Sequence, residues 1–147
     1  MLIKTDFNLN IEWVQTINYE DNDIGYSVQQ ADDGSGYIIT GITNCWDDCD
    51  VLLLKISSDG VPVWNNWFGG DGDDRGYSVQ EVDGGYIITG YSESDDVGKG
   101  NLWSKQDELP PLNGGRDVYV IKTDDLGFVE WEKLIGGSGN DEGHSVQ

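Results

Sequence analysis

The sequence predicts an all-β chain of short strands and tight turns. Glycine supplies 21 of the 147 residues, about twice its usual share of roughly 7%, and glycine favours turns. Six Trp and seven Tyr residues favour strands. No stretch of ten or more residues has apolar side chains spaced by three and four, as an amphipathic helix requires. Together these observations predict strands joined by turns.

A repeated unit sets the order of the strands. The phrase GYSVQ occupies residues 25–29 and 76–80, and the variant GHSVQ occupies residues 143–147. Lys and Trp recur nine residues apart, and each Trp precedes a recurring Ser by fourteen residues. The recurring residues are Lys4, Lys55 and Lys122, then Trp13, Trp64 and Trp131, then Ser27, Ser78 and Ser145. Three copies in one register indicate a repeat architecture.

Each complete unit is predicted to contain four strands, which we term A to D. Strand A is YSVQ, strand B is YIIT, strand C is VLLLKI at 51–56 or VYVIK at 118–122, and strand D follows at 61–68 or 128–134. The turns from A to B and from C to D contain glycine, as tight hairpins require. Strand C is apolar at consecutive positions, so both of its faces are predicted to be covered. Such a four-stranded sheet, repeated after 51 residues from Lys4 to Lys55, is the blade of a β-propeller.

The repeat divides the chain into parts of a single partial propeller. Residues 1–24 supply strands C and D of a first blade, residues 25–75 a second blade, residues 76–142 a third blade, and residues 143–147 strand A of a further blade. An insertion at 93–115 in the third blade is rich in Gly, Pro and charge, which predicts a loop. These strands make about two and three-quarter blades, fewer than the four to eight of a closed ring.

Two interpretations of the incomplete ring stay open. The chain is a piece of a longer array, or copies of the chain complete one another by pairing the unpaired edges of their terminal blades. In the second case a head-to-tail dimer is favoured, because it would close a ring of about six blades. Self-association is therefore one expectation for the partners of this chain.

Three segments carry a resemblance to a known repeat family. They are DGGYIITGYS at 83–92, DVYVIKTDDLGFVEW at 117–131 and IGGSGNDEGHSVQ at 135–147. Their combination resembles the β-propeller repeats of secreted and cell-surface proteins of bacteria and archaea. The resemblance implies an extracellular or cell-surface location and a non-catalytic module that acts as a scaffold or binds carbohydrate or protein. A fragment of a propeller enzyme acting on carbohydrate and a calcium-stabilised adhesion module are the alternatives, because propellers host many functions.

The charge of the chain excludes two classes of partner. Eight Lys and Arg residues against 28 Asp and Glu residues give a net charge of −20, which repels nucleic-acid phosphates and anionic lipid surfaces. No apolar run approaches the roughly 20 residues that span a bilayer. We therefore expect no nucleic-acid binding and no membrane insertion.

An aspartate recurs four residues before the recurring serine of each unit. The three are Asp23, Asp74 and Asp141. One interpretation is structural, with the carboxylate accepting backbone N–H bonds in the crossing between blades. The other is a calcium site, because Ca²⁺ binds six to eight oxygen ligands. Recurrence within a chain favours the structural role, and calcium is the one cofactor that the sequence suggests.

The loops between strands B and C are predicted to carry the binding surface. In an up-and-down blade these loops share one rim with the D-to-A crossings, and the hairpin turns lie on the opposite rim. Trp46 and Trp103 are the tryptophans outside the predicted strands of the repeat, and both fall in B-to-C loops. Either each indole covers its own loop, or the indoles form a stacking platform for a sugar or peptide, rimmed by Asp47 and Asp48.

The two cysteines, Cys45 and Cys49, lie in one of these loops. A disulfide is predicted if the protein is secreted, and free thiols if it is not. His144 is the sole histidine and replaces Tyr26 and Tyr77 of strand A, which predicts a strand residue. No catalytic residue is assigned, because a Ser-His-Asp or Cys-His arrangement would have to use His144.

Overall fold

The computed structural model describes residues 1–18, 22–46, 48–95, 97, 112 and 114–147. The ten strands of this described part form three antiparallel sheets. The all-β prediction is therefore confirmed. These residues include no helix that is long and apolar enough to cross a membrane.

The strands follow the order predicted from the repeat. The first sheet contains β1 (Leu2–Thr5) and β2 (Ile11–Gln15). The second sheet runs in the order β3 (Ile24–Gln30), β4 (Gly36–Thr43), β5 (Asp50–Ser57) and β6 (Pro62–Phe68). The third sheet runs in the order β7 (Asp74–Val82), β8 (Gly85–Ser92), β9 (Asp117–Thr123) and β10 (Val129–Ile135). Each strand of a sheet pairs antiparallel with the next strand along the chain.

One left-handed residue lies in each hairpin between strands C and D. Gly60 and Gly127 have φ values of 81° and 82°, a conformation that glycine adopts without steric cost. Leu9 occupies the corresponding position in the β1–β2 hairpin with a φ of 65°. A residue with a Cβ atom costs about 1 kcal/mol in this conformation, so the first hairpin departs from the repeat.

Two apolar cores hold the three sheets together. The first and second sheets enclose a core that contains Leu52 and Leu54 of β5, against which Trp13 packs. The second and third sheets enclose a core that contains Leu53 of β5 and Ile121 of β9. Strand β5 therefore buries alternate side chains on opposite faces, as its consecutive apolar residues predict.

Two glycines, each at the start of a GYSVQ or GHSVQ phrase, pack against the preceding sheet in the same way. Gly76 of β7 lies against Thr40 and Val51 of the second sheet. Gly143 lies against the corresponding residues of the third sheet, Thr89 and Val118. A Cβ atom at either glycine would overlap these side chains, which explains why glycine recurs there.

Residues 143–147 differ from the prediction because they do not form a strand. The Gly143 amide donates to the Gly90 carbonyl at 2.9 Å, and the Val146 amide donates to Ser78 Oγ at 3.3 Å. The described part of the chain provides no strand B beside this segment, so its backbone cannot form a ladder. The segment nevertheless lies on the third sheet where strand A would lie.

Two of the recurring tryptophans pack on the hairpin of the following sheet. The Trp13 indole donates to the Ser58 carbonyl at 3.0 Å, and its ring lies 3.0 Å from the position of a Cβ on Gly60. The Trp64 ring lies 2.7 Å from the corresponding position on Gly127. Glycine is required in these turns because the indole of the preceding unit occupies the space of a side chain.

Candidate functional site

The B-to-C loops and a D-to-A crossing lie together on one rim. We call this surface the loop rim; it comprises residues 44–46, 48–49, 69–73 and 93–95. The Cys49 amide donates to Asp73 Oδ1 at 3.1 Å, and the Glu93 amide donates to the Asp73 carbonyl at 2.9 Å. Asp73 therefore connects the crossing to both B-to-C loops, so the two loops lie side by side on this rim.

The hairpin turns lie on the opposite rim. The Ser58 amide donates to the Ser35 carbonyl at 3.1 Å, which joins the A-to-B turn of the second sheet to its C-to-D turn. Phe7 in the β1–β2 hairpin is 99% exposed. The regular turns are thus separated from the variable loops by the length of the strands.

A disulfide closes the loop that carries Trp46. Cys45 and Cys49 are bonded, with their Cα atoms 4.3 Å apart. Asn44 precedes them, and its side-chain amide donates to Asp50 Oδ2 at 2.9 Å. This bond anchors the loop to the first residue of β5. Trp46 is 79% exposed, so its indole does not cover the loop and is available for stacking.

Two of the four predicted ligand residues, Asp47 and Trp103, lie outside the described residues. Asp48 is described, is partly exposed and forms a β-bridge with Cys45. An ion pair closes the base of the 93–115 insertion, where Arg116 Nε lies 2.5 Å from Glu93 Oε1. Trp46, Asp48 and the base of the insertion therefore share the loop rim.

Two of the recurring aspartates accept backbone N–H bonds in the crossings. The Gly70 amide donates to Asp74 Oδ2 at 2.9 Å, and the Gly137 amide donates to Asp141 Oδ2 at 2.8 Å. Asp23 accepts a hydrogen bond from Thr43 Oγ1 at 2.6 Å. The contacts of Asp74 and Asp141 are the backbone hydrogen bonds of the structural interpretation, whereas the contact of Asp23 comes from a side chain. Within the described ranges, no three His, Cys, Asp or Glu side chains form a group that could hold a metal ion.

A second carboxylate meets Asp74 over a glycine. A Cβ atom on Gly69 would overlap the carboxylates of both Asp50 and Asp74. Asp74 is 0% exposed, and Ser94 Oγ donates to its Oδ2 at 2.7 Å. Its other oxygen, Oδ1, has no hydrogen-bond partner among the described residues. The pair therefore places a buried carboxylate oxygen close to a second acid.

Burial raises the pKa of Asp74 to about 7, although hydrogen bonds from Ser92, Ser94 and the Gly70 amide act in the opposite direction. The charge of Asp50 makes a smaller contribution to this rise in the pKa of Asp74. Burial also raises the pKa of Asp50 itself. Two interacting acids of this kind can hold a proton between them near neutral pH.

The sequence repeats a further aspartate, directly before strand C, that belongs to this carboxylate pair. Asp50 and Asp117 both stand immediately before strand C, in DVLLLK and DVYVIK. In the third unit, a Cβ on Gly136 would overlap the carboxylate of Asp117 and lie 3.0 Å from Asp141 Oδ2. The carboxylate pair is therefore part of the repeat.

Both arginines of the chain lie over one tyrosine beside the loop rim. The guanidinium carbons of Arg75 and Arg116 lie 5.8 and 4.4 Å from the centroid of the Tyr91 ring. Arg75 pairs with Asp73 at 3.1 Å, and Arg116 pairs with Glu142 at 2.7 Å as well as with the Glu93 carboxylate. These cations neutralise part of the acidic rim.

The rings of the three strand A phrases form a row. The ring centroids of Tyr26 and Tyr77 lie 5.5 Å apart, and those of Tyr77 and His144 lie 5.2 Å apart in a stacked arrangement. His144 Nε2 lies 3.6 Å from a Glu142 oxygen. His144 thus occupies the ring position of the repeat, although its segment is not a strand.

Comparison with protein-family models and with curated proteins finds no match to this chain.

Proposed function

We propose that the chain is a non-catalytic β-propeller module of an extracellular or cell-surface protein, and that its loop rim binds carbohydrate. The observation that carries this proposal is the exposure of Trp46, at 79%, on a loop closed by the Cys45–Cys49 disulfide. An indole is a large rigid face with one polar edge. Held on a short closed loop, it loses little conformational entropy when a ligand stacks on it.

The regular stacking of the sheets supports the propeller part of the proposal. The Asp74 amide donates to the Cys49 carbonyl at 2.6 Å, and the Asp141 amide donates to the Arg116 carbonyl at 2.8 Å. Cys49 and Arg116 both precede the aspartate that starts strand C. The crossing that follows each four-stranded sheet therefore makes the same backbone contact, and a repeated contact of this kind is expected between the blades of a propeller.

The chemistry of the loop rim favours a sugar as the ligand. The carboxylates of Asp48 and Asp73 flank the loop, and carboxylates accept hydrogen bonds from sugar hydroxyls. The net charge of −20 disfavours anionic polysaccharides. The ligand expected is a neutral or amino sugar that stacks one apolar face on Trp46.

The disulfide supports the extracellular location. Disulfides persist in oxidising compartments and are rare in the reducing cytosol. A closed loop at Trp46 therefore fits a secreted or surface protein.

The test is binding of the full chain to an array of neutral, amino and acidic glycans, followed by calorimetry with the best oligosaccharide. Trp46→Ala is expected to weaken binding by at least about tenfold, or about 1.4 kcal/mol, because the stacking face is lost. Trp46→Phe is expected to retain part of the affinity. Phe7→Ala, an aromatic truncation on the opposite rim, is the matched control and is expected to bind as the wild type does.

Equal binding by Trp46→Ala and the wild type would overturn the proposal, as would the absence of binding to any glycan. Thermal unfolding of each variant shows whether a loss of binding reflects loss of the fold. Because Trp46 is exposed, its truncation is expected to change the free energy of unfolding by less than about 0.5 kcal/mol.

A further inference from the structure

The two outer faces of the stack expose residues whose repeat counterparts are buried. Ile3, on the outer face of the first sheet, is 50% exposed, whereas its counterpart Leu54 is 2% exposed. Ile135, on the outer face of the third sheet, is 56% exposed, whereas its counterpart Phe68 is 3% exposed. We call the first surface, which also carries Val14, the front face. The second surface, which also carries Trp131, is the back face.

The front and back faces are the two halves of a contact that the chain already makes twice. At each internal contact a tryptophan of one sheet lies against the hairpin turn of the next, as Trp64 lies against Gly127. Trp131 on the back face is the next tryptophan in this series, and the hairpin at Leu9 on the front face is the corresponding turn. The two faces are therefore complementary to each other and not to themselves.

The 143–147 segment does not cover the part of the back face around Trp131 where a hairpin would dock. Gly143 lies against Thr89 of β8 and Val118 at the start of β9, which is the strip of strand A. Trp131 lies on β10, where the counterpart Trp64 on β6 meets the following hairpin. A docked β1–β2 hairpin and the 143–147 segment would thus occupy different strips of one face.

We propose that the front face of one copy of this chain docks on the back face of a second copy, head to tail. Such a contact is heterologous, and two of them close a dimer. The internal contact supports a second copy as the occupant, because it joins the same two kinds of surface. Lys133 extends this match: its counterpart Asn66 donates to the Gly127 carbonyl at 3.0 Å, and an ammonium group in that position can donate to the carbonyl of the docked turn.

Leu9 makes the docked contact weaker than the internal ones. In the internal contacts the indole lies 3.0 and 2.7 Å from the absent Cβ positions of Gly60 and Gly127. A leucine at this position requires the Trp131 ring to shift before the turn can approach. Leu9→Gly removes this obstacle and is expected to tighten the association, an effect that damage to the fold would not produce.

The test begins with the mass of the full chain by light scattering over a range of protein concentrations. The expected result is a reversible dimer. Association is expected to strengthen as salt rises from about 0.15 to about 0.5 M, because screening reduces the repulsion between two strongly acidic chains. Leu9→Gly is expected to lower the dissociation constant by about tenfold.

Charged substitutions on each face test the geometry. Ile3→Glu on the front face and Ile135→Glu on the back face are each expected to raise the dissociation constant by at least about tenfold, to the point of a monomer. Val61→Glu is the matched control, because Val61 is 60% exposed and lies in a turn of the second sheet. It adds the same charge and is expected to associate as the wild type does.

Mixing the two face variants separates head-to-tail docking from other modes. The mixture retains one intact front face and one intact back face, so an equimolar complex is expected although each variant alone is monomeric. That complex would also show that both variants are folded. A monomeric wild type at every concentration would overturn the proposal and leave the faces to another occupant, such as further repeats of a longer chain. Dimers of either variant as stable as the wild type, or a mixture without complex, would also overturn it.

Discussion

Asp74 and Asp141 occupy the same place in successive units but differ in what covers them. Both accept the amide hydrogen bond of the second glycine in the crossing, from Gly70 and from Gly137. Asp74, at the start of β7, is 0% exposed, whereas Asp141, which precedes the short 143–147 segment, stays partly exposed. The repeat therefore determines the hydrogen bond, and the neighbouring sheet determines the burial.

The largest expected effect concerns the charge of Asp74. Its folded-state pKa of about 7 lies above the ordinary value of 3.8, so the protonated carboxyl is favoured in the folded state. The stabilisation is complete below pH 4 and is lost as the pH rises through about 7. A shift of this size corresponds to at most about 4 kcal/mol. Asp74→Asn mimics the protonated form and is expected to unfold later than the wild type at pH 8, with little difference at pH 4.

Denaturant unfolding of both proteins from pH 4 to pH 8 measures this effect. Asp141→Asn removes the same charge at the exposed counterpart and controls for the general repulsion within an acidic chain. If Asp74→Asn and the wild type lose stability in parallel as the pH rises, the buried carboxyl does not carry the predicted linkage.

A second comparison uses the paired glycines of strand A. Gly76→Ala places a methyl group against Thr40 and Val51 between two complete sheets, and overpacking of this kind costs about 1 to 3 kcal/mol. Gly143→Ala meets the corresponding residues, Thr89 and Val118. The 143–147 segment can move away from them at the loss of few contacts, so a change below about 1 kcal/mol is expected.

The free energy of unfolding in denaturant measures both glycine variants. Equal costs at Gly76 and Gly143 would show that the 143–147 segment is held as firmly as β7. The difference between the two variants is the informative quantity, because the substitution and the contacted residue types are the same.

The smallest expected effects concern the row of rings. Tyr77 contacts both Tyr26 and His144, so Tyr77→Ala is expected to cost about 1 to 2 kcal/mol. His144 lies at the end of the row, where its side chain is 71% exposed, and His144→Ala is expected to cost less than about 0.5 kcal/mol. Thermal unfolding of the two variants measures both changes. A larger loss of stability in His144→Ala than in Tyr77→Ala would contradict the expectation that the more exposed ring contributes less.

The period of the sequence predicted the features that each unit repeats. The four strands of the second and third sheets, the turn glycines at 60 and 127, and the backbone contacts of Asp74 and Asp141 all follow from local patterns that recur. The propeller itself stays a prediction, because ring closure depends on the angle between sheets and on what adjoins the outer faces.

Features that depend on the partner of a residue were not predicted. Asp50 meets Asp74 across the D-to-A crossing. The sequence repeats an aspartate before strand C, but that recurrence alone does not show which residue the aspartate faces. The 143–147 segment has the sequence of a strand, but the described residues place no partner strand beside it, so its pattern alone did not predict its conformation. Trp46 had two interpretations in the sequence, because the pattern of a loop does not determine whether its indole faces solvent.

The last residue pair between β8 and β9 is Ser92 with Asp117. The pairing of the two strands therefore continues up to the residues that flank the 93–115 insertion. Lengthening a loop beyond such a base is cheap, at about 0.6 kcal/mol for each doubling. This position can therefore vary in length and composition during evolution without disturbing the units on either side. It is also a suitable place to graft a foreign peptide for display on the rim that carries Trp46.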